Sequence, residues 1–330
     1  MKHKIFIPFL ICFSSVLIAQ DPHFTQFYAA PLSVNPAYTG VFNGRFRVIS
    51  NFRQQWINSL SAINTSSVSI DGKIGKQNKE TGQSPINIGL MLMNDNSMKG
   101  AFKSNYITST FAYHVPLDPD QFHSMGVGFA ATYGDRRIDF SSISFSDQFT
   151  SGGFDLTLPT GESALNNMQP FFTIGAGLLY KYDNQEGGTF IDLGISGYHF
   201  NKPKQSVLND KNQYLPVRYS AQASLKKFIS NTLILNVKAL YQSQASVNYF
   251  LGGLSIAKLL GAKDKNMVGI GLWYRTFDAI SPYVLLEFNK FQIGISYDVT
   301  TSDLKKGPKP VKSIELSLQF PFGEKNKIKN

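Results

Sequence analysis

The sequence predicts an all-β fold: a closed transmembrane outer-membrane β-barrel of about 14 antiparallel strands, preceded by an N-terminal periplasmic plug or collar segment. Three observations predict it. The first twenty residues have the layout of an export signal. The rest is rich in aromatics, with 27 Phe and 15 Tyr in 330 residues and only 16% charged residues, yet it holds no uninterrupted apolar run of eighteen residues. Helical membrane spans are therefore excluded, and an exported, aromatic-rich chain can still cross a membrane as a barrel. Finally, a period-2 alternation of apolar and polar side chains recurs along nearly the whole length, which is the signature of strands with one face in lipid and one in a lumen.

In the signal, Lys2 and Lys4 precede a mostly apolar run over residues 5–19, and Ala19-Gln20 supplies the small and polar residues before Asp21. Cleavage is expected near Ala19 or Gln20. The run is shorter than the ~20 residues of a spanning helix, and Pro8 interrupts it. Cys12 is the only cysteine and lies inside the signal after Phe9-Leu10-Ile11, so the mature chain has no thiol, disulfide or acyl anchor site.

Residues 21–44 come next, as a plug or collar, and the barrel is expected over residues 45–322. In the first strand Phe46, Val48, Ser50, Phe52, Gln54 and Trp56 share one face, while Arg45, Arg47, Ile49, Asn51, Arg53 and Gln55 share the other. Arginines on one side and large apolar groups on the other assign the lumen and the lipid. Further alternating segments are read at 64–76, 86–97, 103–116, around 125–134, and at 170–183, 189–200, 214–228, 231–243, 246–258, 266–277, 280–289, 290–301 and 311–322. Around Met125, inward glycines at 126, 128 and 134 are expected to leave room for bulky lumen residues of neighbouring strands. Short polar turns such as Asn289-Lys290 belong to the periplasmic side, and the two long connections, 138–169 and 201–213, fall on the outer side. The last strand sets Ile314, Leu316, Leu318, Phe320 and Phe322 against Ser313, Glu315, Ser317, Gln319 and Pro321, and a basic periplasmic tail, 323–330, follows. The rival fold is an exported β-sandwich, whose strands would be shorter.

No constellation of catalytic, cofactor-binding or metal-ligating residues stands out. The five histidines, at 3, 23, 114, 123 and 199, show no metal-ligand spacing; His114 and His123 flank a turn and could approach one another. Gly126-Val127-Gly128 and Gly175-Ala176-Gly177 have strand spacing and no helix start or lysine after them, so they are not phosphate loops. The chain thus reads as non-enzymatic, with no cofactor. Its formal charge is +10, and +8 once Lys2 and Lys4 leave with the signal. The basic residues are scattered, which argues against nucleic acid and suits a barrel rim among anionic outer-membrane lipid. Lys305, Lys306, Lys309 and Lys312 fall on the outer side; Lys258, Lys263 and Lys265 and the tail fall on the periplasmic side.

The stretch DPHFTQFYAAPLSVNPAYTG at residues 21–40 carries four aromatics and three prolines, too broken for a helix and too apolar for a solvated tail. It must be covered by the periplasmic mouth or the lumen of the barrel. Asn35-Pro36 would fix an extended turn and Gly40 a sharp one. With the strand ending FRQQW, it resembles the N-terminal signature of the PorP/SprF family of the Bacteroidetes type IX secretion system. The matching positions are Asp21, Pro22, Phe24, Gln26, Asn35, Pro36, Ala37, Tyr38 and Gly40, then Arg53, Gln55 and Trp56; FSDQF at residues 145–149 and the glycine-rich strand at Gly175-Ala176-Gly177 add to it. What the resemblance implies is a non-enzymatic outer-membrane component. It would bind, and help secrete or anchor at the cell surface, cargo bearing a type IX C-terminal sorting domain, such as the adhesins of gliding motility. It would be coupled to the periplasmic GldK/GldN (PorK/PorN) ring. Under that implication Asn35, Pro36 and Tyr38 set the collar geometry, and Arg53 and Gln55 make lumen contacts. The alternative from the barrel pattern is a FadL-like channel for hydrophobic compounds, also a barrel of this size with an N-terminal plug.

Overall fold

The computed structural model describes residues 21–57, 62–75, 84–160, 168–205, 213–261, 266–303 and 311–323. The export signal, the tail beyond Gly323, and Lys263, Lys265, Lys305, Lys306 and Lys309 lie outside the described residues.

Fourteen strands close into one antiparallel barrel. They are β1 (Phe46–Ile57), β2 (Ile63–Ile74), β3 (Ile86–Ser97), β4 (Phe102–Pro116), β5 (His123–Ile138), β8 (Phe171–Asn184), β9 (Thr189–Tyr198), β10 (Arg218–Phe228), β11 (Leu233–Gln244), β12 (Val247–Leu259), β13 (Met267–Arg275), β14 (Ala279–Phe288), β15 (Phe291–Thr300) and β16 (Lys312–Phe322). Between β5 and β8 a small hairpin, β6 (Phe149–Thr150) and β7 (Gly153–Phe154), forms a separate two-stranded sheet in the longest connection. Each barrel strand pairs with its predecessor in sequence, and β1 pairs with β16 from Phe46↔Phe322 to Gln54↔Ile314 to close the ring. Closure leaves no unpaired edge, the condition for a sheet to lie in hydrocarbon.

The alternation decides which way each strand faces. In β1 the odd positions from Arg47 to Gln55 are buried while Phe52 is exposed; in β16 Ser313, Glu315 and Ser317 are buried while Ile314, Leu316 and Phe320 are exposed. Every barrel strand puts at least one large apolar side chain outward, from Phe52 and Ile70 round to Ile295 and Leu316. With lipid on that side these side chains are in their preferred solvent, and the polar groups meet inside. No helix is long and apolar enough to cross a membrane among the described residues.

Both Phe46 and Phe322 lie at the same end of the barrel, with the turns 117–122, 185–188, 229–232 and 289–290; the connections 139–170 and 199–217 lie at the other end. Short turns mark the periplasmic end and long loops the outer end. Asn289 and Lys290 have φ of 46° and 79°, so this hairpin closes by a two-residue turn with both central residues left-handed. Ala245 and Ser246 do the same at the outer end, with φ of 56° and 65°. The wall has two irregularities. Trp56, with φ of 53°, occupies a bulge where the β1–β16 register slips between Gln54 and Ile57. The β14–β15 ladder skips Ser281 and Pro282, where proline has no N–H to give.

Residues 21–44 run inside this ring. They include two short 3₁₀ turns, Phe27–Ala29 and Pro36–Tyr38, and one helical turn, α1 (Pro31–Val34). Asp21 meets Arg136, His199, Arg218 and Gln244, all near the outer ends of their strands, whereas Gly44 precedes β1 at the periplasmic end. The segment therefore traverses the lumen from one end to the other instead of covering the periplasmic mouth alone.

Candidate functional site

The site is the contact between residues 21–44 and the inward side of the barrel, and it is built of three kinds of seat. The outermost is ionic. Asp21 lies 2.6 Å from His199 Nε2, 3.1 Å from Arg218 and 3.5 Å from Arg136, and its backbone N–H donates to Gln244 Oε1 at 2.9 Å. Burial alone would raise this carboxyl's pKa, but His199, Arg218 and Arg136 outweigh it and hold the group far below the usual carboxylate range. His23, two residues on, is held well below the ordinary imidazole range by burial and by Arg53 and Arg275, so it sits neutral, tilted over Tyr249 at 5.1 Å.

The next seat is a charge network with the backbone as guest. Arg53 Nη2 and Arg275 Nη2 share Asp298 Oδ2 at 3.1 and 2.8 Å, and Ser281 Oγ donates to Asp298 Oδ1 at 2.6 Å. Arg53 Nη1 then donates to the His23 carbonyl at 3.1 Å and Arg275 Nη1 to Thr25 Oγ1 at 2.7 Å. Glu315 accepts both the Thr25 and the Gln26 backbone N–H, at 2.8 and 2.7 Å. The Gln26 amide donates to Ser296 Oγ and accepts from Ser317 Oγ above Gly294, where a Cβ would come 2.4 Å from it. Oriented to accept, the Gln55 amide oxygen lies 2.9 and 3.0 Å from Arg53 Nε and Nη2 and orients the guanidinium. Buried polar groups of this kind are stable only when satisfied, and here the segment satisfies them.

The third seat is shape. Asn35 caps the Pro36–Tyr38 turn through its Oδ1, which accepts from Ala37 N at 2.8 Å. Its Nδ2 donates to the Leu178 and Ile195 carbonyls at 3.0 and 3.2 Å and to Gln222 Oε1 at 3.0 Å. Asn35 can approach the wall because Gly177 and Gly194 stand opposite; a Cβ on Gly177 would lie 2.0 Å from Asn35 Oδ1. Pro36 and Ala37 press on Gly128, where a Cβ would lie 2.2 Å from Ala37 N. The inward glycines of β5 are expected to make room for bulky lumen residues of neighbouring strands. His114 over Gly126 and Phe171 over Gly134 fit that, but Gly128 and Gly177 accommodate the segment. Gly40, at φ 78°, turns the chain out while its N–H donates to Asp71, itself paired with Arg47 at 2.8 Å. Apolar packing completes the seat: Phe24, Ala30 and Leu32 join Met91, Met93, Tyr106, Phe171 and Leu215, and Phe27 and Val34 join Leu240, Leu251, Trp273 and Tyr283.

Of the residues singled out in the sequence, Asp21, Phe24, Gln26, Asn35, Pro36, Ala37, Gly40, Arg53 and Gln55 thus meet in the lumen. Pro22 and Tyr38 are half-buried there, Tyr38 with its phenol pushed up by burial and by Asp192. Trp56 is apart, in the bulge of β1, where its backbone N–H donates to Ser313 Oγ. The FSDQF stretch is also apart, in the outer connection: Gln148 is buried and bonds the Leu158 carbonyl and Phe145 N, leaving Phe149 and Phe154 exposed with rings 5.0 Å apart. His114 and His123 do not meet. The first bonds the Thr39 carbonyl inside the lumen and the second the Tyr180 hydroxyl on the other side of the wall. No group of three or more metal-ligating side chains comes together among the described residues. Sequence reasoning did not single out Asp298, Arg275, Asp71 or Gln222; their only signal is a polar side chain at an inward position of an alternating strand.

No curated protein matches the chain in sequence. Among solved structures, the toluene transporter TbuX of Ralstonia pickettii is similar at 9% identity and a TM-score of 0.49, covering 89% of this chain and 94% of that one. A Pseudomonas aeruginosa FadL homologue is similar at 8% identity and 0.48, covering 87% and 92%. At such values the likenesses carry no argument about this chain, whose barrel rests on its own strand order. The family model of the type IX secretion system membrane protein PorP/SprF matches residues 16–320. This chain, an outer-membrane β-barrel, belongs to the PorP/SprF family.

Proposed function

We propose that this barrel is a non-enzymatic anchor of the type IX secretion system, which binds the C-terminal sorting domain of a secreted cargo, such as a gliding adhesin, at its outer loops. Residues 1–20 serve as the export signal, 21–44 as the plug, 45–322 as the barrel and 323–330 as a periplasmic tail. The observation that carries the reading is the filled lumen: a segment fixed by Asp21, Glu315 and Asn35 leaves the two faces, not a pore, as the working surfaces. On the outer face Phe149, Phe154 and Leu156 are exposed, and Phe277 is 89% exposed in a hairpin turn, the kind of patch that marks a protein partner. On the inner face the turns and the end of the segment would couple to the GldK/GldN (PorK/PorN) ring.

The FadL-like channel has one observation in its favour, the ladder gap at Ser281-Pro282. Within that gap Ser281 bonds Asp298, which pairs with Arg53 and Arg275, a charged wall unsuited to hydrophobic compounds. Affinity purification of a tagged copy from gently solubilised outer membranes, with mass spectrometry of what copurifies, separates the two. The anchor reading expects a large secreted protein with its C-terminal domain retained. Recovery of the barrel alone, from an extract in which other secretion complexes are intact, sinks it.

A further inference from the structure

A cavity of about 490 Å³ lies between the plug and the wall formed by β9 to β11, β13 to β16 and β1. It reaches the periplasmic end, since Lys290 of the 289–290 turn, Met267 at the start of β13 and Pro321 near the end of β16 are on its rim. Its floor is aromatic, with Phe27, Tyr28, Tyr38 and Phe42 from the plug. Its charge is unbalanced: Arg47, Lys226, Lys238 and Lys290 line it against only Asp192 and Glu287. Arg47 is already engaged by Asp71 on the adjacent strand, and Asp192 and Glu287 accept from Ser224 and Gln292. Lys238 is different. Its Nζ stands 4.0 Å over the Tyr28 ring, with the charge of Asp192 acting on it but no hydrogen-bond acceptor among the described residues. Lys226, exposed and nearer the mouth, stands over the rings of Phe190 and Phe228, with the charges of Glu287 and Asp183 acting on it.

We propose that this vestibule binds an acidic, extended peptide segment of a periplasmic protein, with carboxylates on Lys238 and Lys226 and its apolar atoms on the aromatic floor. The volume falls within the ~300–1,000 Å³ of ordinary ligand sites. A lumen cation left without a hydrogen-bond acceptor is costly unless an anion completes the pair, and confinement between low-dielectric walls strengthens that pair. The chain's own tail is no substitute, because Lys325, Lys327 and Lys329 carry the same sign as the site. A single small anion would engage the lysines and leave the aromatic floor bare.

The identity of the carrier rests on the secretion reading, but the binding does not. Purified full-length barrel can therefore fail this test while cargo still copurifies, or pass it when no cargo is recovered. Fluorescein-labelled hexaglutamate, titrated by fluorescence anisotropy at low salt, is expected to saturate, and labelled hexalysine is not. Lys226→Gln together with Lys238→Gln should weaken hexaglutamate by about 10-fold or more, and the Lys226→Arg, Lys238→Arg pair should restore it. Heat-modifiable gel migration checks that both variants hold the barrel. Absence of saturable binding, equal affinity in the Gln pair, or complete displacement by inorganic phosphate would each overturn the proposal, the last by showing a small-anion site.

Discussion

Replacing Gly128 with valine tests whether the wall and the plug are fitted to each other. A Cβ at that position comes 2.2 Å from Ala37 N and 2.3 Å from the Pro36 carbonyl carbon, against 3.4 Å where ordinary contact begins. Both are backbone atoms, so no rotamer change relieves the clash, and the Pro36–Tyr38 turn must retreat by about 1 Å. Asn35 is next in the chain and its three Nδ2 bonds, at 3.0, 3.2 and 3.0 Å, are already at full length. A shift of that size breaks them, at about 1 kcal/mol for each of the two N–H donors they share. The seat of the plug should weaken by about 2 kcal/mol, some 30-fold in its favour over the displaced state, before any strain from overpacking is added. The barrel ladder is untouched by this change. Single-channel conductance in planar bilayers should rise and residues 21–44 should become open to protease, while Gly152→Ala, whose nearest neighbour would be 3.8 Å away, changes neither. A Gly128→Val protein with the conductance and protease resistance of the parent would refute the reasoning.

Three further outcomes follow from the same geometry. Asp298→Asn leaves Arg53 and Arg275 buried around a neutral amide; with Glu315 at 3.8 Å and Asp278 at 2.5 Å as remaining partners, the loss should sit near the low end of the ~3–5 kcal/mol for a broken buried pair, read as an earlier heat-modifiable transition on gels. Asp21 is held below its free value of 3.8, so its contribution is complete above that pH and is lost as the carboxyl protonates in acid. Protease protection of the plug should therefore owe nothing to Asp21 titration between about pH 7 and pH 5 and should fall below about pH 4, and Asp21→Asn should remove that Asp21 share of the acid limb; an Asn variant with the parent's acid profile would contradict this. An epitope placed between residues 20 and 21 should be labelled by antibody on intact cells, because Asp21 lies at the outer end of the lumen, and labelling that needs permeabilised cells would mean that the barrel sits the other way up in the membrane.

The barrel was legible because lipid on one side and a polar lumen on the other force a strict period of two, and that period survives in a single sequence. It assigned Arg53 and Gln55 to the lumen and counted fourteen strands to within a few residues at each end. Turn chemistry helped where it is ordinary, as at Asn289-Lys290, and gave nothing at Ala245-Ser246, which carries no glycine or asparagine yet takes the same left-handed pair. Periodicity says which side chains face in but not which of them meet. The plug's contacts join residues as far as 291 positions apart, such as Asn35 with Leu178 and Gln26 with Ser317. The inward glycines show the limit: their direction was readable, but their partner, the Pro36-Ala37 backbone, was not.

The polarity of the lumen bears on whether the plug could come and go like a ligand. Glu315 takes two backbone N–H groups from Thr25 and Gln26, and Arg53 and Arg275 give donors to the His23 carbonyl and the Thr25 hydroxyl. Remove the plug and these groups, together with the Asp21 receptors Arg136 and Arg218, must all be resatisfied by water in a channel lined by Met91, Met93, Trp273 and Leu251. Each orphaned group costs on the order of 1–3 kcal/mol, more when charged. Segment and wall are therefore one folded unit, and a displacement of the plug short of unfolding is a local shift rather than an expulsion. Such a shift has a natural route. Asp21 at the outer end and Tyr28, Tyr38 and Phe42 at the vestibule belong to one short stretch of chain, so an occupant that moves the aromatic floor works directly against the seat that ends at the outer face.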